Sequence, residues 1–113
     1  MVTVVNKQIL PGNDTSRQFE GHLHSDADIS FFINESPVGH GPKLHKHPYQ
    51  EVFVLLDGLL TFTVDHSTIY ATSGQIVIVP ADTPHKFTNP GPGVARHIDI
   101  HTSGRMETTW LEE

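Results

Sequence analysis

The sequence predicts an all-β fold of the sandwich or barrel kind. Nine glycines and eight prolines divide 113 residues into short segments. No segment keeps a helical period beyond two turns. Many segments are rich in Val, Ile, Phe and Thr, the residues that suit a pleated, half-buried surface. Nine or ten short strands with a turn every few residues fit a sandwich or barrel better than any helical architecture.

Val2 to Leu10 reads as a first strand, stopped by the turn cluster Pro11-Gly12-Asn13-Asp14. Phe19 to His24 and Ile29 to Ile33 follow as short strands around a turn at Ser25–Asp28, and Asn34 to Pro42 reads as a loop. Lys43 to His47 is short and extended. Glu51 to Leu56 is the clearest strand. Asp57-Gly58 gives a hairpin signal, with Leu59 to Val64 returning as the partner. Asp65-His66-Ser67 turns into Thr68 to Ala71, and Thr72-Ser73-Gly74 turns into Gln75 to Val79, a strand apolar enough to be covered on both faces. Pro80 to Pro84 is a loop and His85 to Thr88 is extended. After the break at 89–93, Val94 to His101 and Thr108 to Leu111 complete the set. Nothing marks a boundary within residues 1–113, which read as one domain.

Composition removes several classes of function. The absence of cysteine excludes disulfides, thiolate metal sites and cysteine nucleophiles. With a net charge of −6 and only seven scattered Lys and Arg residues, nucleic acid is not an expected partner. No apolar run approaches the roughly 20 residues of a membrane helix, and the first residues lack a signal peptide's pattern, so no membrane partner is expected and the cytoplasm is the expected compartment. No segment reads as a helix-turn-helix. Nine histidines are the notable feature. His22, His24, His40 and His66 read as surface residues.

Five residues carry the chemistry of the central stretch. Residues two apart on a strand share a face, so His45 and His47 project together. Glu51 keeps that parity if residues 48–50 stay extended, and Phe53 and Leu55 continue it. The other parity gives Val52, Val54 and Leu56, so this strand also reads as buried on both sides. A lone carboxylate there is costly unless it meets a cation. The competing reading is a solvated loop edge, with the histidines flanked by Lys43 and Lys46.

The spacing Gly39-x5-His45-x-His47-x3-Glu51-x6-Gly58 resembles the first motif of the cupin superfamily at every fixed position. Gly74-x5-Pro80-x-Asp82-x2-His85-x3-Asn89 resembles the second, with Asp82 where the family has glycine. The resemblance implies a cupin-type jelly-roll β-barrel in a small, single-domain member. It implies metal ligation by His45, His47, Glu51 and His85, turns at Gly39, Gly58 and Gly74, and a structural role for Asn89. Asp tolerates the left-handed conformation better than most residues, so the loop at Asp82 is expected to survive.

Three imidazoles and one carboxylate suit one divalent transition metal ion: Fe, Mn, Ni, Co or Zn. Tyr49, Phe53, Leu55 and Phe87, with Ile76 or Val77, are expected to line a cavity for a small molecule. The last long strand has two faces: His97, Asp99 and His101 on one, Arg96, Ile98 and Ile100 on the other. With the polar face inward, His97 and Asp99 join the pocket and His101 becomes the candidate acid–base residue. With the apolar face inward, the histidines lie outside. The family includes dioxygenases, isomerases, decarboxylases and epimerases, so the resemblance leaves the reaction open. Dioxygenase-type oxidoreductase chemistry is the leading expectation. A non-catalytic binding or sensing module is the alternative. The sugar-epimerase type ranks lower because no His-plus-Tyr pair is assignable. The C-terminal 108–111 reads as structural, its exposed apolar strand suiting the homodimers that small cupins form through sheet edges.

Overall fold

A computed structural model describes every residue from Met1 to Glu113. Eleven strands follow in chain order: β1 Gly12–Asn13, β2 Ser16–Glu20, β3 Ser30–Ser36, β4 His45–Lys46, β5 Glu51–Asp57, β6 Leu59–Val64, β7 Ser67–Thr72, β8 Ile76–Val79, β9 His85–Thr88, β10 Ala95–His101 and β11 Thr109–Trp110. They form two antiparallel sheets, ordered β1-β2-β3-β10-β5-β8 and β11-β4-β9-β6-β7. The two face each other as the walls of a jelly roll. No helix is long and apolar enough to cross a membrane.

The core lies between the sheets. Phe53 and Leu55 of β5 meet Leu60 and Phe62 of β6, with Ala71, Val79, Phe87 and Ala95 around them. Phe53 packs edge-on against Phe62 and Phe87 at centroid distances of 4.9 and 5.6 Å. Burying each large side chain contributes roughly 1.5–3 kcal/mol. This cluster fills one end of the barrel and leaves the other end to polar groups.

Besides the span Phe19 to His24, where β2 ends at Glu20 and Gly21–Leu23 forms a 3₁₀ turn, four readings change. Val2 to Leu10 is not a strand: the Asn6 side chain accepts the Gln8 N–H at 3.1 Å and caps a 3₁₀ turn at Lys7–Ile9. The sheet edge that such a strand would need is occupied by the β1–β2 hairpin. Asp57-Gly58 is not a hairpin turn, because β5 pairs with β10 and β8 while β6 pairs with β7 and β9. It is the corner where the chain leaves one sheet for the other. Gly58 has φ +95°, and a Cβ there would lie 2.9 Å from both the Ala95 Cα and the Val94 carbonyl oxygen. Only glycine turns this corner without strain.

The outer face of the six-stranded sheet is the third difference. Ile76 and Ile78 are 61% and 58% exposed, and Leu56 is exposed beside them. β8 is an edge strand with one covered face, so its apolar outer residues meet solvent. Finally, β3 continues through Ser36 instead of ending at Ile33, because its whole length pairs with β10. Asp82 meets expectation: it holds φ +59°, and its N–H donates to the His47 carbonyl at 2.7 Å.

Candidate metal centre

Strand register builds the site. In the five-stranded sheet, Trp110, His45, His85 and Val64 stand opposite one another across β11, β4, β9 and β6. In the six-stranded sheet, Ser30, His101, Glu51 and Val79 make a comparable row across β3, β10, β5 and β8. The rows face each other across the barrel. His47 enters from the loop after β4. His45, His47, Glu51 and His85 are all buried, and one donor atom from each lies within 4.8 Å of the others. The solvated loop-edge reading of His45 and His47 is therefore set aside.

All three histidines present the same nitrogen inward. The Nδ1–H of His45 donates to the Lys43 carbonyl at 2.7 Å, that of His85 to the Thr83 carbonyl at 2.8 Å, and that of His47 to the Glu107 carbonyl at 2.8 Å. Carbonyl oxygens only accept, so each Nδ1 carries the proton and each Nε2 turns a lone pair inward. Those lone pairs meet another acceptor. Glu51 Oε1 lies 3.1 Å from His47 Nε2 and 3.0 Å from His85 Nε2. His47 Nε2 is buried with no hydrogen-bond partner. Acceptors so close together need a proton or a cation among them. The donor set therefore fits a divalent metal.

Protonation behaviour follows the same geometry. Burial, reinforced by repulsion from His85 and His47, lowers His45 to about 4 against the help of the Lys43 carbonyl, so His45 is neutral near pH 7. Burial alone would raise Glu51. The surrounding imidazoles of His101, His47 and His85 outweigh it when a proton is shared among them in place of a metal ion, and hold the carboxyl well below the usual carboxylate range. Burial alone would lower His85, but the bonds to Glu51 and to the Thr83 carbonyl win and raise it.

Beside the ligands lies a cavity of about 320 Å³. The polar face of β10 points inward, as the burial of His97, Asp99 and His101 demonstrates. His101 and Asp99 reach the cavity wall. The Tyr49 hydroxyl donates to His101 Nδ1 at 2.5 Å, and His101 Nε2–H points at Glu51 Oε2, 3.3 Å away. Burial raises Tyr49 to about 12, which keeps that hydroxyl protonated. A His-plus-Tyr pair is thus present after all, formed by residues 52 positions apart in the chain. Behind Asp99, His97 Nδ1 lies 2.5 Å from Oδ1, Asn34 donates to Oδ2 at 2.9 Å, and Ser16 donates to Asn34 Oδ1 at 2.6 Å. Burial raises the Asp99 carboxyl, opposed by His97.

Placement on the cavity wall divides the expected pocket residues. Phe87 and Asp99 line it, whereas Tyr49, Phe53, Leu55 and His97 do not. Phe53 and Leu55 face inward below the metal ligands and are consumed by core packing. Tyr49 stacks on His47 at 5.2 Å and serves His101, and His97 lies behind Asp99. Ile76 turns to solvent and Val77 packs on the core. Wall residues missed from sequence include Phe32, Asn34, Met106, Thr108 and Trp110, and His40 reaches the wall from its loop. The alternation Ser30-Phe32-Asn34-Ser36 was the available signal for β3, obscured by ending that strand too early. The C-terminal 108–111 also does more than close the fold: Trp110 packs 5.1 Å from the His45 ring.

Comparison with known proteins places this geometry. The Cupin domain family model matches residues 32–101. An uncharacterised protein of Methanocaldococcus jannaschii, MJ1618, is 36% identical over 56 residues, covering 49% of this chain and 45% of that protein. The HTH-type transcriptional regulator PuuR of Escherichia coli is 30% identical over 57 residues, covering 50% of this chain and 31% of the regulator. The chain thus spans less than half the length of these curated relatives. Among solved structures, Bacillus subtilis oxalate decarboxylase, a protein with Mn(II) centres, superposes with a TM-score of 0.77 at 18% identity, over 90% of this chain and 29% of that one. At that identity the likeness is one of fold.

Proposed function

This chain belongs to the cupin domain family, and from that premise we propose that it is a metal-dependent enzyme acting on a small organic molecule, with dioxygenase-type oxidoreductase chemistry as the leading reading. One observation carries the proposal: three Nε2 lone pairs and the Glu51 carboxylate converge beside a cavity that also presents His101. His45, His47, Glu51 and His85 would hold the ion. When bound, a divalent transition metal supplies Lewis-acid polarisation and, if redox-active, a route for electrons to dioxygen.

The chain's own groups do the rest. Backbone carbonyls of Lys43, Thr83 and Glu107 fix the imidazoles. Phe32, Phe87 and Trp110 provide apolar contact for a bound molecule. His101 would exchange a proton with a substrate through Nε2, whose 3.3 Å contact with Glu51 Oε2 is the looser of its two, while the Tyr49 hydroxyl orients its Nδ1. The same pair favours a second reading, non-redox proton transfer of the isomerase or decarboxylase type. Oxygen uptake by Fe(II)-loaded protein across small phenols, diketones and thiols separates the two. Anaerobic deuterium exchange into the same compounds with oxygen uptake absent supports the second. Saturable binding without turnover under either condition supports a binding module instead.

Replacing His101 with Ala is expected to lower turnover about 10²–10⁴-fold, the usual contribution of a positioned acid–base group, with metal content retained. One limb of the pH–rate profile should vanish. Unchanged turnover removes His101 from the chemistry.

The exposed outer face around Leu56, Ile76 and Ile78 supports a homodimer built on the six-stranded sheet. Sedimentation should give a dimer for the native protein and a monomer for Ile76→Lys/Ile78→Lys. A monomeric native protein counts against this assembly.

A further inference from the structure

The charges on the cavity wall restrict what the cavity takes. Its lining contains two carboxylates, Glu51 and Asp99, and neither lysine nor arginine. Asp99 is almost wholly buried, and both its oxygens face donors, Asn34 Nδ2–H on one and the His97 ring on the other. Those two donors oppose the burial that raises this carboxyl and suit its ionised form, and each oxygen keeps a further lone pair. With a divalent ion on the proposed ligands, the two carboxylates bring the site to electrical neutrality. An anionic ligand would add uncompensated charge beside two buried carboxylates, where charge is costly. Around the polar groups stand Phe32, Phe87, Met106 and Trp110, an apolar surface broad enough for a ring or a branched chain. At about 320 Å³ the space is at the small end for organic ligands.

We infer that the cavity takes an uncharged, hydroxyl-bearing molecule with an apolar body, its hydroxyl donating toward Asp99, and discriminates against carboxylates. The inference rests on the metal-centre reading for its charge balance and supplies the substrate class that reading lacks. Asp99 then acts as the specificity-determining residue. Its partners Asn34, Ser16 and His97 hold it in place and satisfy one side of each oxygen. The likeness to oxalate decarboxylase does not extend to the ligand: a dicarboxylate finds no cationic side chain on this wall.

A matched pair of probes tests this. Zinc-loaded protein, its zinc content measured before and after, is titrated calorimetrically at neutral pH with 1-phenylethane-1,2-diol and with mandelate. The two differ chiefly in the carboxylate. The diol is expected to bind at least about ten-fold more tightly. Asp99→Asn should bring the ratio to unity or reverse it, and His40→Lys, which places a cation at an exposed wall position away from the metal ligands, should do the same without touching the buried network. Mandelate binding native protein as tightly as the diol overturns the inference, and so does a diol that fails to saturate at about 10 mM. A ratio unchanged in both variants overturns the role of wall charge. Protein that takes up no zinc refutes the metal reading instead. The ranking is then read on that same metal-free protein, where Glu51 and Asp99 are unbalanced and the preference for the diol should widen.

Discussion

Replacing Glu51 with Gln is expected to leave the protein folded and to abolish its hold on metal. Glu51 is the one anion among the proposed ligands, and its Oε1 faces two imidazole lone pairs at 3.0 and 3.1 Å. In the native protein that juxtaposition calls for a cation. The Gln amide carries N–H donors, which can satisfy a histidine lone pair directly. The variant thus removes both the charge that attracts the ion and the unmet demand that the ion fulfils. Affinity should fall at least a hundred-fold, roughly 3 kcal/mol. Metal content after dialysis and a thermal unfolding curve check both halves. A folded Glu51→Gln protein that retains a full equivalent of metal contradicts the ligand assignment.

The second large effect is a pH-dependent stabilisation by metal. In the metal-free protein, His85 sits above its ordinary value of 6.5 and Glu51 below its ordinary 4.5. A raised histidine contributes stability fully below its unfolded value and loses it as pH rises through the folded value. A depressed carboxyl contributes above its unfolded value and loses that contribution as pH falls through the folded one. Both contributions coexist between pH 4.5 and 6.5, where this pair most favours the metal-free fold. Metal competes with the His85 proton, so its stabilisation grows as pH rises. His45, lowered to about 4, is already neutral there and adds little to the dependence. At neutral to slightly alkaline pH, with zinc about a thousand-fold above its dissociation constant, the gain is about 4 kcal/mol. For a chain of this size that is roughly a 15 °C rise in melting temperature. Near pH 5.5 the rise should be less than half as large. Equal shifts at the two pH values would show that no ligand proton is displaced.

Much of this site was legible in the sequence, because a strand's two-residue period converts spacing into a face. His45, His47, Glu51, Phe53 and Leu55 share one parity, and all five are buried. His85 was reached through the second motif, and register places it directly opposite His45. What parity could not supply was the pairing between distant strands. Asp57-Gly58 has the composition of a hairpin turn, yet the barrel uses it as a corner between sheets. The orientation of β10 was equally undetermined: either face is chemically acceptable until β3 and β5 are seen to flank it. The Tyr49–His101 pair and the Asn34–Asp99 bond join residues brought together by that packing alone. The His47–Glu107 bond escaped for the same reason, since local sequence cannot foretell which loop crosses a cavity mouth.

The central claim is that three imidazoles and one carboxylate hold a single divalent ion. X-ray absorption at the cobalt edge, on protein loaded with one equivalent of Co(II), tests it most directly. A light-atom first shell with multiple scattering from three imidazoles is the predicted result, falling to two in a His85→Ala variant. A spectrum without imidazole scattering, or one unchanged by His85→Ala, would contradict it.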